Sequence, residues 1–165
     1  MSLTRRAPAR LLPARLLTAL ALTLGLALSM MVGATIGPAA PHASALVSAQ
    51  RAGLAADWAA SRKGSPYSYG AVGPGRFDCS GLTRWAYARV GKSLPHSSSA
   101  QAAMVERVSR PNARRGDLVF FYGSGGIYHV AIYAGRGFVV HASRPGTDVK
   151  RDRIWTSRVF FGRVR

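Results

Sequence analysis

Asp117-Leu118-Val119-Phe120-Phe121-Tyr122, His129-Val130-Ala131-Ile132-Tyr133 and Gly137-Phe138-Val139-Val140-His141 are three short runs dense in β-branched and aromatic residues, with glycine-rich turns between them. That pattern reads as neighbouring strands of an antiparallel sheet. The third run follows the second through Gly135-Arg136-Gly137, so the two form a hairpin in which residues near His129 pair with residues near His141. Such a register brings the two imidazoles together across the sheet. Asp117 is placed to support the turn that enters the first run, and a further strand is expected over Arg158 to Val164.

Upstream the periodicity changes. Leu82, Trp85, Ala86 and Val90 follow helical spacing, with Gly91 as a C-terminal stop and Asp78 as an N-cap, which puts Cys79 and Ser80 at the start of a helix. The stretch Pro66 to Phe77 is a loop by its density of glycine and proline, and it lacks the Gly-Lys-Ser/Thr ending of a phosphate loop. Before it, the alanine-rich segment Leu46 to Arg62 carries Leu54 and Trp58 four apart, which predicts an amphipathic helix with those two on its apolar face. Leu94 to Ser99 reads as a loop before a short helix around Ala100 to Val105. Helices first and strands afterwards predict an α+β domain, with N-terminal helices packed on an antiparallel sheet. The chain shows neither an internal repeat nor a second domain.

A chain of 165 residues has room for one such domain. Arg5, Arg6, Arg10 and Arg15 precede an uncharged apolar run from Leu16 to Val32, and Ala43-Ser44-Ala45 supplies small residues for cleavage. Residues 1–45 are therefore expected to be a secretory signal peptide, and residues 46–165 the functional domain. The competing reading is a membrane anchor, against which Pro38, Pro41 and the cleavage pattern argue. With no cysteine near the cleavage point, a lipid anchor is not expected.

The first 45 residues hold four of the 23 basic residues and none of the six acidic ones, so residues 46–165 carry 19 against six, a formal charge of +13. A field of that sign draws polyanions. For an exported chain those are anionic cell-wall polymers and membrane surfaces. The arginines are not interleaved with a run of exposed aromatics, which argues against nucleic acid as the partner.

Cys79 is the one cysteine in the chain, so no disulfide staples the domain. At a helix N-terminus a thiol faces free backbone N–H groups and the positive end of the helix dipole, which predicts a lowered pKa and alkylation below the pH of an ordinary thiol. A thiolate nucleophile needs a base and a group that orients the base, and His129 and His141 are the candidates. The competing use of two histidines is a metal site, but no Asp, Glu or Cys stands at ligand spacing from them in the sequence.

The successive motifs Pro66-Tyr67-Ser68-Tyr69-Gly70, Phe77-Asp78-Cys79-Ser80-Gly81-Leu82, Leu94-Pro95-His96-Ser97-Ser98, Arg115 to Phe121, His129 to Tyr133 and His141-Ala142-Ser143 resemble those of NlpC/P60 domains in order and spacing. The resemblance covers about residues 50 to 155 and implies a papain-like α+β fold. It implies Cys79 as nucleophile, His129 as general base and acid, and His141 as the residue that orients His129. It also places Tyr67 near the oxyanion, and Asp78, Ser80 and Ser97 along the substrate groove.

Other uses for these residues stay open at this point. Tyr67 and Tyr69 suit core aromatics, Asp78 and Ser97 suit helix caps, and His96 suits a structural loop residue. Where many members carry Trp and a second Gly, this chain has Tyr69 and Ala71, a difference that bears on groove shape.

The implied activity is that of a secreted or wall-associated cysteine D,L-endopeptidase. It would act as a monomer, without metal or organic cofactor, on the bond between D-glutamate (through its γ-carboxyl) and the diamino acid of peptidoglycan stem peptides. A related cysteine amidase or acyltransferase would keep the same three residues. A non-catalytic wall-binding module would keep the fold without a use for Cys79.

Overall fold

The computed structural model describes residues 46–165; the expected leader lies outside the described residues. Three helices come first: α1 (Ala49–Ala60), α2 (Cys79–Ala88) and α3 (Ser98–Ala102). Six strands follow: β1 (Val105–Val108), β2 (Leu118–Gly123), β3 (Gly126–Gly135), β4 (Phe138–His141), β5 (Lys150–Arg153) and β6 (Val159–Val164). They form one antiparallel sheet in the order β1-β6-β2-β3-β4-β5. The α+β expectation holds, as do the three runs read as strands and the strand at the C-terminal end. No helix of the described residues is long and apolar enough to cross a membrane.

Alternation along the strands divides the buried residues between two faces. Leu118, Phe120, Val130, Ile132 and Val140 join Leu82, Ala86 and Tyr87 of α2 in the larger core. Val119, Phe121, Ala131, Tyr133, Val139 and Phe161 form a smaller cluster on the other face. The β3–β4 hairpin turns through Arg136 and Gly137, both at positive φ (53° and 77°), the two-residue turn whose twist matches that of the strands.

The amphipathic reading of α1 needs correction. Its buried residues are Ala52, Ala55, Ala56 and Ala59, whereas Leu54 and Trp58 are 47% and 42% exposed. Backbone proximity explains the inversion. A Cβ built on Gly116 would lie 2.1 Å from the Ala52 carbonyl oxygen, so the helix backbone comes too close for any side chain larger than methyl on that face. Trp58 packs edge-on against Trp85 instead, with centroids 6.0 Å apart.

Two further boundaries differ. The helix expected over Ala100 to Val105 runs from Ser98 to Ala102, because Ser97 caps it, and Val105 has left to pair with Val164. β1 and the charged edge strand β5 were not expected, since neither Val105-Glu106-Arg107-Val108 nor Lys150-Arg151-Asp152-Arg153 alternates in polarity.

Candidate active site

The start of α2 is built around one carboxylate. Asp78 Oδ1 accepts from the Gly81 amide at 2.7 Å and from the Ser80 hydroxyl at 3.2 Å, while Oδ2 accepts from the Gly70 amide at 2.9 Å and pairs with His96 Nε2 at 2.8 Å. Asp78 is thus the helix cap and also the tie that gathers the Tyr67 loop and the His96 loop around Cys79. The Gly81 position completes the seat, because a Cβ there would stand 2.1 Å from the Ala71 carbonyl oxygen. Gln101, unremarked in the sequence and fully buried, holds the loop that leads into α3. Its amide nitrogen donates to the Ser80 and Pro95 carbonyls at 2.9 and 2.8 Å, and its oxygen accepts from Thr83 Oγ1 at 2.7 Å.

Burial counters the effect expected of the helix terminus on Cys79. Desolvation pushes its thiol above the ordinary range and the Asp78 carboxylate adds to this, while the backbone amides of Val130, Ser80 and Cys79 itself act in the opposite direction. The expectation of a lowered thiol pKa is therefore overturned. Among the described residues, no hydrogen bond joins Cys79 to either imidazole; catalytic contacts of this kind commonly tighten only when substrate binds.

The two histidines do meet. His129 Nε2 and His141 Nδ1 are 2.9 Å apart on neighbouring strands, both rings buried. The β3–β4 register, Ile132 opposite Val140, makes them diagonal rather than direct neighbours when continued toward His129. His141 Nε2 lies 3.1 Å from Asp152 Oδ2, and Lys150 Nζ lies 3.0 Å from the same oxygen. Asp152 is the site residue that sequence reading missed. It stands on β5, whose pairing with β4 no local pattern announces.

These partners dictate the tautomers. A carboxylate accepts, so His141 Nε2 carries the proton and its Nδ1 accepts from His129 Nε2–H; His129 Nδ1 is left as the unprotonated nitrogen. Desolvation, with a smaller contribution from His141, pulls the His129 pKa down to about 3. His141 is lowered too, chiefly by burial, with Asp152 opposing. Trp155 covers the pair, stacked on Phe121 at 4.1 Å and 5.2 Å from the His141 ring. The resting site holds a neutral thiol and a neutral imidazole whose free nitrogen can accept a proton.

Tyr67, Asp78, Ser80 and Ser97 all line a cavity of about 420 Å³ together with Cys79. Burial, and then the neighbouring Cys79 and Asp78, raise the Tyr67 pKa, so its hydroxyl is a donor at neutral pH. The Ser80 hydroxyl is turned to Asp78, and Ser97 caps α3 by accepting from the Ala100 amide at 3.4 Å. His96, for which a structural loop role stayed open, binds Asp78 and also lines this cavity. Tyr69 is 90% exposed and is no core aromatic. Among the described residues, no group of three or more His, Cys, Asp or Glu is placed to hold a metal ion.

An α+β domain of papain-like build, with a cysteine in the first turn of α2 and an imidazole pair on the antiparallel sheet, is the class that fold and site define. The chain belongs to the NlpC/P60 family, whose profile matches residues 64–163. It is 48% identical over 115 residues to a "Probable endopeptidase" of Corynebacterium glutamicum, covering 70% of this chain and 54% of that one. It is 50% identical over 107 residues to the "Probable endopeptidase p60" of Listeria monocytogenes, covering 61% of this chain and 22% of that one. The chain thus spans about half or less of these relatives' lengths.

Solved structures agree with the fold. The NlpC/p60 domain of the peptidoglycan hydrolase SagA superposes with a TM-score of 0.63 at 33% identity, covering 72% of this chain and all of that one. The peptidoglycan hydrolase RipB of Mycobacterium tuberculosis gives 0.61 at 32% identity, covering 70% of this chain and 64% of that one.

Proposed function

We propose that the protein is a secreted cysteine peptidase that hydrolyses peptidoglycan stem peptides, cutting the bond between the γ-carboxyl of D-glutamate and the diamino acid. The observation that carries this reading is the coupled pair of buried imidazoles on β3 and β4, together with Cys79 at the start of α2, which packs against the core that Val130 of β3 shares. The names of its relatives, endopeptidases and peptidoglycan hydrolases, point the same way.

In this reading Cys79 Sγ attacks the amide carbonyl as its proton passes to His129 Nδ1. Backbone N–H groups at the start of α2 and the Tyr67 hydroxyl stabilise the oxyanion. The C–N bond then breaks, protonated His129 gives its proton to the departing amine, and an acyl group remains on Cys79. Water, deprotonated by His129, attacks the thioester and releases the acid and the thiol. His141 holds His129 in the reactive tautomer. Residues 1–45 serve as the export signal, and the positive charge of the domain retains it near anionic wall polymers.

The test is mass spectrometry of defined muropeptides incubated with the purified protein, run beside Cys79→Ala. Cleavage between D-glutamate and the diamino acid by wild type alone is the expected result. Intact muropeptides in both samples would sink the proposal and move weight to another amide substrate.

A further inference from the structure

We propose that the cavity beside the imidazole pair receives the amine-side residue of the substrate, and that Arg144 makes it select a diamino acid bearing a free side-chain carboxylate. This rests on the hydrolytic reading above and names the leaving group which that reading leaves open.

Two cavities flank the catalytic line. One, of about 420 Å³, is lined by Cys79, Asp78, His96 and Tyr67. The other, of about 340 Å³, is lined by His129, His141, Arg144, Lys150, Asp152 and Trp155, and Tyr128 lines both. The carbonyl carbon bonds to Cys79, so the acyl half of the substrate occupies the first. The departing nitrogen takes its proton from His129, so the amine half lies on the side that His129 lines.

Charge then decides what the second cavity prefers. Lys150 is engaged by Asp152, which also serves His141. Arg144 is exposed, and among the described residues no acidic side chain lies within salt-bridge distance of it. The turn that carries it is anchored: Thr147 Oγ1 donates to the Arg144 carbonyl at 2.7 Å, and the Tyr67 amide donates to the Thr147 carbonyl at 2.9 Å. A guanidinium on a fixed turn, with no internal acid, is matched by a carboxylate, which it can bind through two parallel N–H donors. Tyr128 and Trp155, 58% and 50% exposed, offer aromatic walls for a methylene chain leading to that carboxylate. A lysine or an amidated diamino acid would leave Arg144 without its partner.

The test compares kcat/KM on three stem peptides that differ only in the third residue: a diamino diacid, its side-chain amide, and lysine. Wild type is expected to favour the free acid by about tenfold or more. Arg144→Gln should bring that ratio close to one and Arg144→Lys should give an intermediate value. A wild-type ratio near one, or a ratio that survives Arg144→Gln, overturns the proposal.

Calorimetric binding of the same peptides to Cys79→Ala separates this proposal from the hydrolytic reading. If wild type cleaves none of the three, hydrolysis fails alone. The subsite then stands if Cys79→Ala binds the free acid about tenfold more tightly than the amide and loses that margin with Arg144→Gln added, and it falls if the two bind equally.

Discussion

His141 stands between a second imidazole and a carboxylate, and that position decides which of its nitrogens carries the proton. Asp152→Asn removes the decision. The new amide can donate to Nε2, moving the His141 proton to Nδ1 and setting it against His129 Nε2–H. We expect kcat/KM to fall roughly a hundredfold, less than when an orienting acid touches the base directly, because here the effect passes through one more ring. Nitrogen-15 NMR of the imidazoles should show mixed His141 tautomers, and Asp152→Glu should restore part of the activity; a single unchanged tautomer would reduce Asp152 to a tether for β5. Cys79 makes a second prediction at this scale. Because burial raises its pKa, iodoacetamide labelling should increase only as pH climbs to or above the region of an ordinary thiol. Rapid labelling near pH 6 would mean that the helix terminus prevails over desolvation.

Among the elements, α2 matters most, since its first turn holds Cys79, the contact with the Tyr67 loop and the amide from which the Asp78 cap accepts. Gly81 is where that contact is closest: an added Cβ meets the Ala71 carbonyl oxygen, a backbone atom that cannot swing aside. Gly81→Ala is expected to cost about 2–4 kcal/mol and to slow Cys79 alkylation or hydrolysis by displacing the loop. Urea denaturation gives the first number, and a loss under roughly 0.5 kcal/mol, the range of a surface substitution, would mean that the loop is not packed against Gly81. The β3–β4 hairpin is the second decisive element. Its two-residue turn sets the register, and the register places the two histidines on one face within hydrogen-bond reach. A one-residue slip would send His141 to the opposite face and dismantle the pair.

For the whole molecule, the buried imidazoles couple stability to pH. His129 has a folded pKa of about 3, against 6.5 when free, so the unfolded chain binds a proton more readily. The stability tied to its neutral form is complete above about pH 6.5 and is lost as pH falls toward 3. His141 shifts in the same direction, and the lowered pKa of Asp152 also removes stability in acid. The thermal midpoint should therefore drop steadily from pH 7 to pH 4, and His129→Gln should flatten that slope. A midpoint insensitive to pH would mean that the imidazoles are solvated in the folded state.

Much of this was legible locally. The Asp78 cap, the stop at Gly91, the alternating runs of β2 and β3 and the turn between β3 and β4 are each specified within a few residues, because helix caps, strand period and turn chemistry are short-range properties. Those signals sufficed to put Cys79 at a helix start and to face His129 toward His141. What only the tertiary structure decided involves residues distant in the chain. Gly116 presses on Ala52 and turns the expected face of α1 outward. Val105 leaves the helix to join Val164 in β1 and β6. Asp152 reaches His141 only once β5 has paired with β4. The pKa of Cys79 belongs to the same group: its sequence position specifies the helix terminus, but desolvation depends on how β3 and α2 close over the sulfur, and that is a property of packing.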